Sequence, residues 1–167
     1  RPKWVYGRYI CALMNKDLQI ARQTVQTEIK ALKKLSSSFD RFSNFSKVVN
    51  LLYKMKGKCL VVGVGKSYLV SLKVSATLSS LGTPSVAFSA NDLQHGGLGA
   101  IQKNNDVLLI FSVSGESLEL NSILRYANRH NISVIGVSCK ATSMLLRHST
   151  IKILLPRVIE AGHSLAP

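Results

Sequence analysis

Apolar positions recur along this chain with two different periods, and the period changes near residue 57. Leu18, Ala21, Val25, Ile29, Leu32 and Leu35 repeat at three or four residues, which predicts an amphipathic helix over about 15–35. Ser36-Ser37-Ser38 breaks that pattern. Asn44 or Ser46 can cap a second helix carrying Val48, Val49, Leu52 and Met55, with Gly57 to end it. Both helices read as core and subunit-packing elements. From residue 58 onward, strand-like runs at 58–62, 84–88, 106–111, 132–137 and 150–155 alternate with helical segments at about 67–81, 91–100, 117–130 and 141–148. That alternation predicts an α/β fold, a three-layer α/β/α sandwich around a five-stranded parallel sheet, preceded by N-terminal helices. The expected organisation is a helical segment over 1–57 that packs on a sheet domain over 58–167.

Ligands of such sheets bind beyond the carboxyl ends of the strands. The first strand ends in Gly63-Val64-Gly65-Lys66-Ser67, and Val70, Val74, Leu78 and Leu81 then follow at helical spacing. A strand, a glycine turn and a helix N-terminus form an anion site, because unpaired amides and the positive end of the helix dipole face outward. The third strand ends in Ser112-Val113-Ser114-Gly115-Glu116-Ser117-Leu118-Glu119. Three hydroxyls and a glycine at a strand-to-helix turn offer a phosphate short donors without a bulky wall. Taken alone, this turn reads more simply: Ser114 or Ser117 caps the next helix, with Glu116 or Glu119 as partner to its dipole. Two hydroxyl-bearing turns at one sheet edge favour phosphate. Spacing excludes the competing glycine loops. A Walker loop requires glycine where Leu60 stands, and a dinucleotide fingerprint requires one where Tyr68 stands. Neither ATP nor NAD is supported.

Composition narrows the partners. The 167 residues, 46% hydrophobic with mean hydropathy +0.16, are enough for one domain with a real core. No apolar run approaches the roughly 18–20 residues that cross a membrane. The net charge of +14 implies attraction to an anion. Its lysines and arginines are scattered, without an RNP-like run or zinc-finger spacing, so a phosphorylated small molecule is a more economical partner than nucleic acid. Cys11, Cys59 and Cys139 are well separated and form no CxxC pair, which argues for reduced thiols in a cytosol-like compartment. The first residue, Arg1, makes the chain read as a fragment or a processed form, and the start has no signal-peptide core.

Four segments together resemble a known family: Gly65-Lys66-Ser67, His95-Gly96-Gly97-Leu98-Gly99, the Ser112 to Glu119 turn, and Glu160-Ala161 through Leu165-Ala166-Pro167. In order and spacing, over about 15–167, they are similar to the sugar isomerase (SIS) domain. Within it they look most like D-arabinose-5-phosphate isomerases, which interconvert D-ribulose 5-phosphate and D-arabinose 5-phosphate for Kdo synthesis. The resemblance implies that Gly65, Ser67, Ser112, Ser114, Gly115 and Ser117 bind the substrate phosphate. It makes Lys66, His95, Glu119 and Glu160 the catalytic group. Those residue types suit the chemistry. Moving a carbonyl between C1 and C2 needs a base for the proton α to it, which a carboxylate or imidazole can be, and a cation for the developing enediolate. No metal or organic cofactor is required. The resemblance further implies a homo-oligomer, commonly a tetramer, whose neighbouring subunits complete each site, and the separated cysteines make a cytoplasmic location the expectation.

The chain departs from the family at several positions. Members usually carry Asp where Gly97 stands, Asn where Val113 stands and Gly where Tyr68 stands, and a Cys-Pro pair is missing from the ending. The family's following Thr/Ser-rich helix, with a further catalytic histidine, and its paired CBS domains lie beyond this sequence. Two rival readings follow: a non-catalytic SIS module that senses a sugar phosphate, and a 6-phospho-3-hexuloisomerase. The His95 segment and the Leu165-Ala166-Pro167 ending speak against the second.

Overall fold

A computed structural model of the chain describes residues 3–39 and 44–159, with side chains from residue 15 on. The described residues divide into two compact units, one of 3–39 with 156–159 and one of 44–155. The first is built on one long helix, α1 (Lys3–Ser36). It begins well before the expected 15–35 segment. Leu18, Val25 and Leu32, spaced by seven residues, keep 54–64% of their surface exposed.

The second unit runs α2 (Phe45–Lys54), β1 (Cys59–Gly63), α3 (Lys66–Ser80), β2 (Ser85–Ser89), α4 (Ala90–Gln94), a 3-10 turn (Gly97–Ala100), β3 (Val107–Phe111), α5 (Leu120–Arg129), β4 (Ser133–Ser138), α6 (Met144–Arg147) and β5 (Ile151–Leu154). All five strands are parallel, in the order β2-β1-β3-β4-β5. Each strand lies within a residue or two of its expected place, so the α/β expectation holds. The alternation of side chains along the central strands explains the layers. Leu60, Val62, Leu108, Ile110 and Val134 face α4, α5 and α6, where Leu93, Leu120, Ile123, Leu124 and Leu145 meet them. Cys59, Val61, Val107, Leu109, Ile135 and Val137 face the other way, under Val48, Leu51 and Leu52 of α2 and Val74 and Leu78 of α3.

The helix boundaries need correction. The segment expected over 91–100 breaks after Gln94, because Gly96 takes φ +121° and the chain restarts as a 3-10 turn. Helix α5 begins at Leu120 instead of 117, so Ser114 and Ser117 lie in the preceding turn and cap nothing. Asn44 does precede α2, but its amide donates to the Lys152 carbonyl at 3.1 Å and caps no amide of the helix. Gly57 does not end α2, which stops at Lys54. Its place is set by space: a Cβ there would come within 2.1 Å of Asp106 Oδ1.

Candidate functional site

In the order β2-β1-β3-β4-β5, the chain leaves β1 toward β2 and returns to β3 on the other side. This reversal makes the carboxyl ends of β1 and β3 the crevice where open α/β sheets take ligands. Both hydroxyl-bearing turns are there. In the first, Gly65 adopts φ +53° and ψ −121°, a conformation for which only glycine is suited. Gly63 is held by closeness: a Cβ would lie 2.4 Å from the Ser67 carbonyl. The Ser67 and Tyr68 amides bond back to the carbonyls of Val64 and Gly65, both at 3.0 Å. The Gly65 and Lys66 amides keep no partner among the described residues. The turn presents them with the Ser67 hydroxyl at the start of the fifteen-residue helix α3.

The second turn is tied down from inside. The buried Ser112 Oγ accepts the Gly115 N–H at 3.0 Å and lies 3.3 Å from Ser117 Oγ. Ser114 Oγ accepts the Glu116 N–H at 3.2 Å. The amides of Val113, Ser114, Ser117 and Leu118 keep no partner among the described residues. Gly115, at φ +65°, is packed so closely that a Cβ would meet Ser143 Cβ and Oγ at 2.5 Å. Ser138 Oγ and the Cys139 amide both donate to the Val113 carbonyl at 3.0 Å, so the end of β4 braces the second turn. The sequence analysis gave Ser138 and Ser143 no role, and no local pattern marks them, because both act on a turn more than twenty residues earlier in the chain. Beside both turns, Ser67, Ser112, Val70, Val113, Cys139 and Leu155 line part of a cavity of about 190 Å³.

Glu116 belongs to the scaffold. It pairs with Lys140 at 2.8 Å and accepts the Met144 N–H at 3.4 Å. The Lys140 bond, outweighing partial desolvation, holds its carboxyl below the usual range. Of the proposed catalytic group, Lys66 stands exposed on the first turn of α3, His95 exposed just after α4, and Glu119 half-buried just before α5. They follow β1, β2 and β3, three neighbouring strands, and so share one edge of the sheet. Gln94 Nε2 donates to the Glu119 carbonyl, which ties the His95 loop to the β3 turn. Among the described residues no side-chain hydrogen bond links Lys66, His95 and Glu119 to one another. Glu160 lies outside the described residues, as does the Leu165-Ala166-Pro167 ending. No three His, Cys, Asp or Glu side chains converge as metal ligands among the described residues.

Two hydroxyl-bearing turns at the switch point of a five-stranded parallel sheet define an α/β module with its candidate ligand crevice at the carboxyl ends of β1 and β3. The family model of the SIS domain matches residues 51–167, and the chain belongs to that family. It is 32% identical over 145 residues to the arabinose 5-phosphate isomerase KdsD of Francisella tularensis, covering 85% of this chain and 43% of that protein. An uncharacterized protein of Rickettsia prowazekii, RP505, is 32% identical over 143 residues, covering 86% and 44%. The chain thus spans less than half the length of these relatives. Among solved structures, E. coli CFT073 c3406 in complex with arabinose 5-phosphate superposes with a TM-score of 0.85 at 28% identity, covering 92% of this chain and 80% of that one.

Proposed function

We propose that this chain is the sugar-phosphate module of an aldose–ketose isomerase that interconverts D-ribulose 5-phosphate and D-arabinose 5-phosphate through an enediol, as Kdo synthesis requires. One observation carries the reading: both serine turns lie at the switch point, in a family whose relatives include arabinose 5-phosphate isomerases. Ser67, Ser112, Ser114 and Ser117 donate to the phosphate, with Gly65 and Gly115 permitting its close approach. Glu160 or Glu119 moves the proton between C1 and C2, Lys66 stabilises the enediolate, and His95 serves ring opening or proton shuttling. The uncovered stripe of Leu18, Val25 and Leu32 supports a homo-oligomer. The module acts in the cytoplasm; no described helix is long and apolar enough to cross a membrane.

A sensing module without turnover is the second reading. It is favoured by Gly97 and Val113, which stand where family members usually carry Asp and Asn. An isomerisation assay with D-arabinose 5-phosphate on the native-length protein, beside Glu160→Gln, separates the two. Turnover abolished by the substitution supports the isomerase. Binding without turnover in the native protein leaves only the sensor.

A further inference from the structure

The described residues of the proposed isomerisation site all lie at the carboxyl edge of the sheet. At the opposite edge, where β3 and β4 begin, the end of α2 and the two loops entering those strands enclose a cavity of about 450 Å³. That volume lies within the ~300–1,000 Å³ usual for small-molecule sites. Leu51 and Met55 give it an apolar floor, while Val107 and Ile132 reach it only at their edges, being buried in the cores on opposite faces of the sheet. Lys54, Lys56, Asn104, Asn105 and Asn131 stand around it, and their side chains make no hydrogen bond or ion pair among the described residues.

The one acid in the wall is already engaged. Asp106 Oδ1 accepts the Lys58 N–H at 2.8 Å, while Oδ2 accepts Lys58 Nζ at 2.7 Å and the Gln102 N–H at 2.8 Å. Its charge is matched by Lys58, which leaves Lys54 and Lys56 to set the sign of the cavity. The walls are also fixed: the Gly57 N–H binds the Asn105 carbonyl at 3.0 Å, and the Ile132 N–H binds the Ala127 carbonyl at 2.9 Å. An apolar floor, unused amides and two cations together suit a flat ring system bearing anionic groups.

We propose that this cavity is a second ligand site, for a nucleotide. The base lies against Leu51 and Met55, the asparagine amides bond its polar edge, and Lys54 and Lys56 hold its phosphates. The proposal is independent of the sugar-phosphate reading, because the two sites share no residue.

The test is calorimetric titration of the full chain with ADP, with adenosine as the probe lacking phosphate. ADP should bind, adenosine at least roughly tenfold more weakly, and the exposed pair Lys54→Gln/Lys56→Gln should weaken ADP by a similar factor, about 1.4 kcal/mol. Ser112→Ala, in the other site, should leave ADP affinity unchanged. Nuclear magnetic resonance on the native chain adds a readout free of substitutions: ADP should shift the side-chain amides of Asn104 and Asn131. Failure of ADP to bind at millimolar concentration overturns the site. So does ADP binding that survives loss of both lysines, or that disappears with Ser112.

Discussion

Ser112 joins the stability of the candidate site to its chemistry, and truncating it separates the two. The side chain keeps only 6% of its surface exposed, and its oxygen accepts the N–H of the buried Gly115 at 3.0 Å. In Ser112→Ala that amide is left inside the turn without a partner, which costs about 1–3 kcal/mol. For a chain of this size the melting temperature should fall by roughly 2–12 °C. The ligand term is separate. A hydroxyl donating to a charged phosphate is worth about 1.5–3 kcal/mol, so sugar-phosphate affinity should weaken by roughly 10- to 150-fold. Thermal unfolding with and without D-arabinose 5-phosphate reads both at once, since the ligand-induced shift follows RT ln(1 + [L]/Kd). Ser112 and Ser117 oxygens are 3.3 Å apart, so a double-mutant cycle with Ser117→Ala should show coupling. A variant that melts with the native protein and binds the sugar phosphate within twofold would show that Ser112 neither braces the turn nor contacts phosphate.

Three further outcomes follow from other parts of the molecule. For Asp106, burial opposes the charge, but the Lys58 ammonium and the Lys58 and Gln102 amides prevail and hold its pKa below the usual value. Its contribution is therefore complete above about pH 4 and fades as pH falls through the depressed value. Asp106→Asn should cost about 2–3 kcal/mol at pH 7, and the gap should narrow in acid unfolding curves below pH 4. Cys59 is fully buried, and burial first, then the Asp106 charge, pushes its thiol up to about 12; mass spectrometry at pH 8 should find it unmodified by iodoacetamide until the chain unfolds. At Gly65 an added Cβ meets nothing within 4 Å, whereas at Gly115 it overlaps Ser143. Gly65→Ala should thus lose about 1–3 kcal/mol through backbone strain alone, whereas Gly115→Ala should add at least about 1 kcal/mol of overpacking to its own strain in denaturant titration.

The sheet was legible because burial on both faces imposes continuous apolar runs, as in Cys59 to Val62 and Val107 to Ile110. The serine turns were legible from their residue types and their places after β1 and β3. Helix ends were not. The late start of α5 follows a tighter turn, in which the Leu120 and Asn121 amides bond the Ser117 and Leu118 carbonyls three residues back, and spacing alone does not rank that turn against an α-helical one. The bracing by Ser138 and Ser143 is a long-range contact between separate loops, so no local pattern carries it. Asp106 read simply as the first residue of a strand, and its partner Lys58 lies 48 residues earlier.

The three loops that hold Lys66, His95 and Glu119 share a physical signature that the loop after β4 lacks. Each contains a glycine at positive φ: Gly65 at +53° after β1, Gly96 at +121° after β2 and Gly115 at +65° after β3. After β4 the chain instead enters α6 through Ser143, an ordinary cap whose oxygen accepts the Leu146 N–H at 3.3 Å. Strands β2, β1 and β3 are neighbours in the sheet, so these three glycines lie at its carboxyl edge. The other described residues at positive φ, Gly82, Asn104 and Asn131, lead into β2, β3 and β4 at the opposite edge, so a positive φ alone does not mark the ligand edge. The packing of Gly115 against Ser143 and of Gly63 against Ser67 shows that the carboxyl edge is held tightly from beneath. That rigidity is what short hydroxyl donors need if they are to meet a phosphate without reordering at the moment of binding.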